Sequence, residues 1–276
     1  MAVAALASTA RWIAAVRANE SRRENRLFHD PWAAALAGAA GEAWYVQHAD
    51  SPAMQIIAIR VRFFDDFLLR VTEDQGVRQV VLLAAGLDTR AFRLRWPAGT
   101  RVFEMDRSEV LGEKEGILRA AGARPGCERR VIAADLGTPW GDLLVQNGFH
   151  RGRPSCWLLE GFLFYLSNDA GLAVLDQMGP LAAGGSWLGF DIPNSTTLTH
   201  AWTRNWVEMQ GQRGAPFLGT MDDPAAVLSP RGWAATLVQA GDKDANFGRW
   251  PYPPVPLEIP DMPRNWFVTA ERNDER

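Results

Sequence analysis

The sequence predicts an α/β protein built on a doubly wound, mostly parallel sheet. Short apolar runs alternate with helical patterns from residue 78 onward, the spacing of strand–helix–strand units. The run Gln79-Val80-Val81-Leu82-Leu83 has no polar alternation, as expected of a strand covered on both faces, and it ends in a glycine turn at Gly86. The length, 276 residues with 47% hydrophobic and 22% charged, accommodates one large domain with additions.

Residues 5–20 carry a helical period through Leu6, Trp12, Ile13 and Val16. Asp30-Pro31 reads as an N-cap with proline at the first helical position, opening a short helix through Leu36 that Gly38 and Gly41 close. Ser51-Pro52 opens a longer helix through Arg70, with Ile56, Ile59, Phe63 and Phe67 on one face. Strands are then expected at 78–84, 100–105, 129–133, 155–160 and 186–191, and helices at 88–94, 108–121, 138–147 and 168–182. The alternation breaks from Pro193 to Pro230, an insertion after the fifth strand that has the makings of a lid. Two further strands, 233–239 and 264–270, flank the proline-rich Trp250-Pro251-Tyr252-Pro253-Pro254-Val255-Pro256, read as an ordered crossing between antiparallel strands. The resulting division is an N-terminal helical cap (1–75), an α/β core (76–192), a lid insertion (193–230) and C-terminal strands that complete the sheet (231–276).

Composition narrows the partners. A net charge of −3 and a pI of about 5.9 disfavour a nucleic-acid partner, and the densest basic cluster, Arg22, Arg23 and Arg26, reads as a solvated helix end. The two cysteines form no CxxC or His/Cys cluster, so neither a disulfide framework nor a metal site is expected. No apolar run reaches about 18 residues and the start lacks a basic leader, so the expected setting is the cytoplasm with no membrane partner. The sequence carries no signal for oligomeric state. Among twelve tryptophans, Trp12, Trp32, Trp44, Trp202, Trp206, Trp233, Trp250 and Trp266 fall outside the core strands, available either for packing or for an aromatic substrate pocket.

Ligands of such sheets sit beyond the C-terminal strand ends, which brings Gly86, Asp106, Asp135 with Leu136, Glu160 and Asp191 into view. Asp106 follows Gly86 by twenty positions, at the end of the next strand, where a carboxylate can accept both hydroxyls of a ribose. The turn Ala84-Ala85-Gly86-Leu87-Asp88 has one glycine, not the three that let a pyrophosphate approach the backbone. That pattern disfavours a nicotinamide cofactor. It suits a ligand with ribose and adenine but no phosphates, of which S-adenosylmethionine is the common example.

Four motifs together resemble the leucine carboxyl methyltransferase family of class I S-adenosylmethionine-dependent enzymes. They are Arg60-Val61-Arg62-Phe63-Phe64-Asp65-Asp66, Leu83-Ala84-Ala85-Gly86-Leu87-Asp88-Thr89-Arg90, Phe103-Glu104-Met105-Asp106 and Leu159-Glu160-Gly161-Phe162-Leu163-Phe164-Tyr165-Leu166. The resemblance runs from Arg17-Ala18-Asn19-Glu20 and Leu27-Phe28-His29-Asp30-Pro31 to Pro263-Arg264-Asn265-Trp266-Phe267-Val268-Thr269-Ala270, and its ending is similar to carboxyl O-methyltransferases of aromatic polyketide pathways, the tetracenomycin type. It implies a Rossmann-like, seven-stranded methyltransferase sheet. It also implies that Arg60 binds the cofactor's methionine carboxylate, with an ion pair to Asp65 or Asp66 as the purely structural alternative. Gly86 would let the methionine part pass, Asp106 would take the ribose, and Asp135 with the Leu136 amide would take the adenine, against helix capping near Thr138 as the other reading of Asp135. Glu160, an acid closing an apolar strand, needs a ligand or Arg60 as partner. Tyr165 would stand beside the acceptor and Arg17 would meet the acceptor's negative charge. Glu104 is read as structural. Ala85 stands where many methyltransferases have glycine, which is tolerable if Gly86 takes the demanding backbone conformation.

The implied activity is O-methylation of a carboxylate on a small, aromatic, polyketide-like metabolite. Such an acceptor is already ionised at neutral pH and needs no base, whereas a phenol, of pKa about 10, would profit from one such as His200 or His29. The alternatives are a phenolic hydroxyl, a protein C-terminal carboxylate, or a protein that binds S-adenosylmethionine without transferring methyl.

Overall fold

The computed structural model describes residues 3–273, with side chains described from Thr9 onward. Three helices come first: α1 (Val3–Ser21), α2 (Ala33–His48) and α3 (Pro52–Glu73). The Leu6 side chain lies outside the described residues; the rest of the α1 stripe buries Trp12, Ala15, Val16 and, unexpectedly, Arg17 and Glu20. Ser51 caps α3, its side chain accepting from the Ala53 amide ahead of Pro52.

α2 departs from expectation. It does not stop at Gly38 and Gly41 but continues to His48, kinked at Gly38 (φ 59°). A Cβ on Gly41 would lie 2.6 Å from the Arg11 carbonyl oxygen, so this glycine lets α2 press onto α1 and does not end the helix. Asp30 is not its N-cap either. It is 3% exposed, and although it accepts from the Trp32 amide, its other oxygen takes Arg17 and Thr89.

The seven strands follow: β1 (Gln79–Leu83), β2 (Arg101–Asp106), β3 (Glu128–Ala133), β4 (Cys156–Leu159), β5 (Trp187–Pro193), β6 (Trp233–Gln239) and β7 (Asn265–Arg272). Their order in one sheet is β3-β2-β1-β4-β5-β7-β6, parallel through β5, with β7 antiparallel to both β5 and β6. The intervening helices are α4 (Arg90–Arg93), α5 (Ser108–Ala120), α6 (Gly141–Gln146) and α7 (Asn168–Met178), each somewhat shorter than its sequence pattern. α8 (Arg204–Gln212) and α9 (Pro224–Leu228) lie between β5 and β6.

Successive strand residues face opposite layers. Val80, Leu82, Val102 and Leu158 pack on Phe64, Phe67, Leu68 and Val71 of α3. Val81, Leu83, Phe103 and Trp157 join Trp140, Leu144, Val174 and Leu175 below. Glu104, fully buried in β2, accepts from Lys114 Nζ (2.6 Å) and Arg129 Nη2 (2.7 Å) and ties α5 and β3 to the sheet. Beyond β5 the chain is stitched to the turn after β4: Leu218 N donates to the Phe164 carbonyl, and a Cβ on Gly219 would meet the Leu166 carbonyl at 2.7 Å. Among the described residues, no helix is long and apolar enough to cross a membrane.

β5 and α3 are in close contact, since a Cβ on Gly189 would lie 2.8 Å from Phe67 Cε1 and 3.3 Å from Phe64 Cε1. Gly189→Ala is expected to destabilise the fold by about 1–3 kcal/mol through overpacking. A thermal melt of the variant should show its midpoint several degrees below that of the parent.

Candidate active site

At the C-terminal strand ends the chain encloses a cavity of about 1210 Å³. Its floor is the turn after β1. Gly86 takes φ 45° there, as expected, but Ala84 also lies in the left-handed region at φ 53°. The demanding conformation is therefore shared with a residue that has a Cβ, a strain of about 1–3 kcal/mol. A Cβ on Gly86 would have only the Ala84 carbonyl oxygen within 4 Å, at 3.8 Å, so the space above this glycine is open. Gly161, after β4, is also left-handed (φ 68°) and lies against the Arg60 guanidinium.

Asp106 closes β2 beside this floor. Its Oδ2 accepts from Gly86 N (2.7 Å) and its Oδ1 from Arg107 N (2.7 Å), which orients both oxygens and leaves each with further acceptor capacity. Burial pushes its pKa up, against the lowering effect of those two amides. Asp135 and Leu136 follow β3 and line the same cavity. Asp135 Oδ1 accepts from Gly137 N in a local turn, and its carbonyl from Thr138 N; α6 begins only at Gly141, so Asp135 does not cap it. The Leu136 amide makes no hydrogen bond among the described residues.

Arg60 sits inside the apolar stripe of α3 and points to the strand ends. It pairs with neither Asp65 nor Asp66: Nε donates to Glu160 Oε1 (2.8 Å) and Nη1 to Asp191 Oδ2 (2.8 Å). Asp191, on β5, had been singled out only as a strand-end residue. Arg90 completes the arrangement, with Asp65 at 2.7 Å, Glu160 Oε2 at 2.6 Å, and Asp88. Arg93 pairs with Asp65 (2.5 Å) and approaches Asp30 (3.9 Å), and Arg17 Nε meets Asp30 (2.8 Å). Four arginines and five carboxylates thus form one continuous chain of ion pairs beneath the cavity. Burial opposes the charge on Glu160, but Arg90 and Arg60 outweigh it and hold its pKa below the usual range. Burial wins at Asp191, whose pKa is raised despite Arg60, with Glu160 adding to the rise.

Glu160 Oε2 is sealed from solvent and faces Arg90 Nη2 at 2.6 Å. Arg60 Nη2 is unused in the two bonds above. An amino acid head group, with one ammonium and one carboxylate, fits a site lined by the Glu160 and Asp191 carboxylates and by an Arg60 guanidinium with one nitrogen to spare. Arg17 lines the cavity, but its guanidinium is held by Asp30 and, through Nη2, by the Leu87 carbonyl at 2.7 Å.

Tyr165 lies in the 3-10 turn Leu163–Tyr165 and is 7% exposed. Its hydroxyl is hydrogen-bonded with Thr9 of α1, and burial raises its pKa further above the usual phenol value. Around it the walls are aromatic: Trp12, Phe162, Phe164, Trp206 and Phe217, with Trp250 and Tyr252 from the proline-rich segment. Trp32, Trp44, Trp233 and Trp266 serve packing elsewhere. None of the four histidines lines the cavity: His29 is exposed, and His200 stacks edge-on with Trp202.

Residues 10–179 match the profile described as leucine carboxyl methyltransferase. The chain belongs to that family. A Parafrankia sp. protein named "Putative S-adenosyl-L-methionine-dependent methyltransferase" is 37% identical over 98% of this chain and 88% of its own. A Saccharopolyspora erythraea protein of the same name is 39% identical, over 90% of each chain. Among solved structures, a duf574 family protein from Streptomyces avermitilis superposes with a TM-score of 0.65, covering 96% of this chain and 97% of its own at 15% identity, a likeness of fold. The family membership and this fold agree with the seven-stranded methyltransferase sheet expected from the motifs.

The ion-pair chain has a measurable pH signature. Arg90 holds Asp88 against burial, moving its pKa from 3.8 to about 2. The charged form is the stabilised one, so the contribution is complete above about pH 4 and is lost as pH falls toward 2. Asp88→Asn should cost about 2 kcal/mol in urea unfolding at neutral pH, with the gap to the parent narrowing as the pH is taken from 4 toward 2.

Proposed function

We propose that this protein transfers a methyl group from S-adenosylmethionine to the carboxylate of a small aromatic acid, of the planar kind made by polyketide assembly. Methyl transfer with that cofactor is the chemistry of its relatives, and the residues at the strand ends fit the cofactor group by group. In this reading Asp106 accepts the ribose hydroxyls, and Asp135 with the Leu136 amide reads the adenine edge. Gly86 leaves room for the methionine chain, while Arg60 and Glu160 hold its carboxylate and ammonium. The division into a cofactor core at 76–192 and acceptor-shaping segments at 1–75, 193–230 and 231–276 belongs to the same proposal.

One observation carries the choice of acceptor. A single cavity runs from the strand-end acids to an aromatic end whose lining includes no histidine, His200 packing instead behind the lining residue Trp202. At about 1210 Å³ it exceeds the roughly 300–1,000 Å³ of a pocket for one small ligand and has room for two. When bound, the cofactor supplies a methyl group on a sulfonium centre. The protein's part would be to hold the acceptor oxygen in line with that methyl group and to keep water out of the cavity. A carboxylate is ionised at neutral pH and requires nothing to remove a proton. Tyr165, kept protonated by burial, is suited to donate a hydrogen bond to the acceptor and unsuited to act as a base. Arg17, already held by Asp30 and Leu87, is better placed to shape the strand-end turn than to grip the acceptor.

Two measurements test the reading. Calorimetric titration with S-adenosylhomocysteine should show binding that Asp106→Ala weakens by at least about tenfold, the loss expected from two hydrogen bonds to a charged acceptor. NADH, the parallel control, should not bind. With radiolabelled cofactor, a panel of aromatic carboxylic acids should yield base-labile methyl esters; label appearing only in base-stable methyl ethers from phenols would replace the carboxylate with a hydroxyl.

A further inference from the structure

Four arginines are buried among the described residues: Arg17, Arg60, Arg90 and Arg264. The first three each meet a carboxylate at 2.8 Å or less. Arg264 has none within ion-pair distance among the described residues, although it is only 8% exposed and lines the cavity. Its partners are neutral: Nη1 donates to Val255 O (2.8 Å) and Gln239 Oε1 (3.2 Å), and Nη2 to Pro256 O (2.7 Å) and Ile259 O (3.1 Å). Those bonds satisfy the hydrogens of both terminal nitrogens but do not neutralise the charge. A buried cation without a counter-ion is costly, and the cost falls when an anion enters its surroundings. Nε–H makes no hydrogen bond among the described residues and is not sealed from solvent, so one donor is left for a ligand.

The position of this charge matters as much as its isolation. In the strand order, Asp106 and Asp135 stand over β2 and β3 on one side, and Glu160 and Asp191 over β4 and β5 in the middle. Arg264 immediately precedes β7, and the neighbouring Asn265 is paired with Pro193 at the end of β5, one strand further across. Its backbone is fixed there: its amide donates to Asn194 Oδ1 (2.9 Å), and its carbonyl accepts from Asn194 N and Thr197 Oγ1 (both 3.0 Å). The acid-lined end of the cavity therefore suits a ligand with positive charge, and the opposite end carries a fixed, unmatched positive charge.

We propose that Arg264 is a specificity residue that selects an anionic acceptor for this cavity, the inference resting on the methyl-acceptor reading of its aromatic end. The guanidinium sets the potential of the acceptor site and offers Nε–H, while its four bonds to neutral acceptors hold the 255–259 segment in place. A neutral molecule of the same shape gains nothing from the charge.

The test compares 1-naphthoate with 1-naphthamide, equal in size and different in charge, by calorimetry on protein saturated with S-adenosylhomocysteine. The parent should bind the carboxylate more tightly by on the order of tenfold. Arg264→Gln should erase that preference, and Arg264→Lys, which keeps the charge and loses the multiple carbonyl grip, should restore most of it. Both variants should bind S-adenosylhomocysteine within about twofold of the parent, which also verifies that they are folded. Equal binding of the two probes to the parent, binding of neither, a preference that survives Arg264→Gln, or its loss in Arg264→Lys would each overturn the proposal, the last by leaving Arg264 only as a pin for the segment. If the parent does not bind S-adenosylhomocysteine, the methyltransferase reading fails instead. The same probe comparison on the unliganded protein then still decides the role of Arg264.

Discussion

Four guanidiniums taken out of water against carboxylates, those of Arg17, Arg60, Arg90 and Arg93, tie the N-terminal helices to the sheet. Arg60 reaches from α3 to the ends of β4 and β5, and Arg17 reaches from α1 to Asp30 and the turn after β1. Arg90 and Arg93, in the helix following that turn, share Asp65 of α3. Removing one member would leave its partners charged and buried, which is worse than never having had the pair. The strand-end turn, the post-β4 loop and the first three helices are therefore positioned together. The geometry of the cavity floor follows from that mutual dependence.

The same chain polarises the cavity. Carboxylates at the ends of successive parallel strands concentrate acceptor oxygens on one side, and the floor between them is glycine and alanine backbone. The other side is built from segments of quite different origin: α1, the stretch after β5 and the proline-rich crossing before β7. These contribute aromatic faces and few charged groups. The two sides thus differ in origin as well as in chemistry, one from the sheet and the other from the segments added around it.

How much of this was legible in the sequence depended on whether the signal was local. All seven strands were placed within two residues or so, most sharply the central ones, which are buried on both faces and leave uninterrupted apolar runs such as Val80–Leu83 and Trp157–Leu159. Asp106 and Glu160 stood out as acids closing such runs. Asp191 carried the same signal, but its pairing with Arg60 spans 131 positions and could not be read from spacing. Gly41 was misread for a related reason: a glycine that permits helix contact looks the same in sequence as one that ends a helix. Arg90, Arg93 and Arg264 were equally hidden, since a buried arginine is distinguished from a surface one only by what the fold brings near it.

Ala84 has a consequence of its own. Its left-handed backbone lies between the buried Leu83 and Ala85, and the Ala85 amide is bonded to Met105 O. A glycine there would relax the strain but would also let the turn sample many conformations. With alanine the turn is stiff before any ligand arrives. A ligand that meets this floor then meets a backbone already ordered, and the entropy of fixing the turn is not charged against its binding.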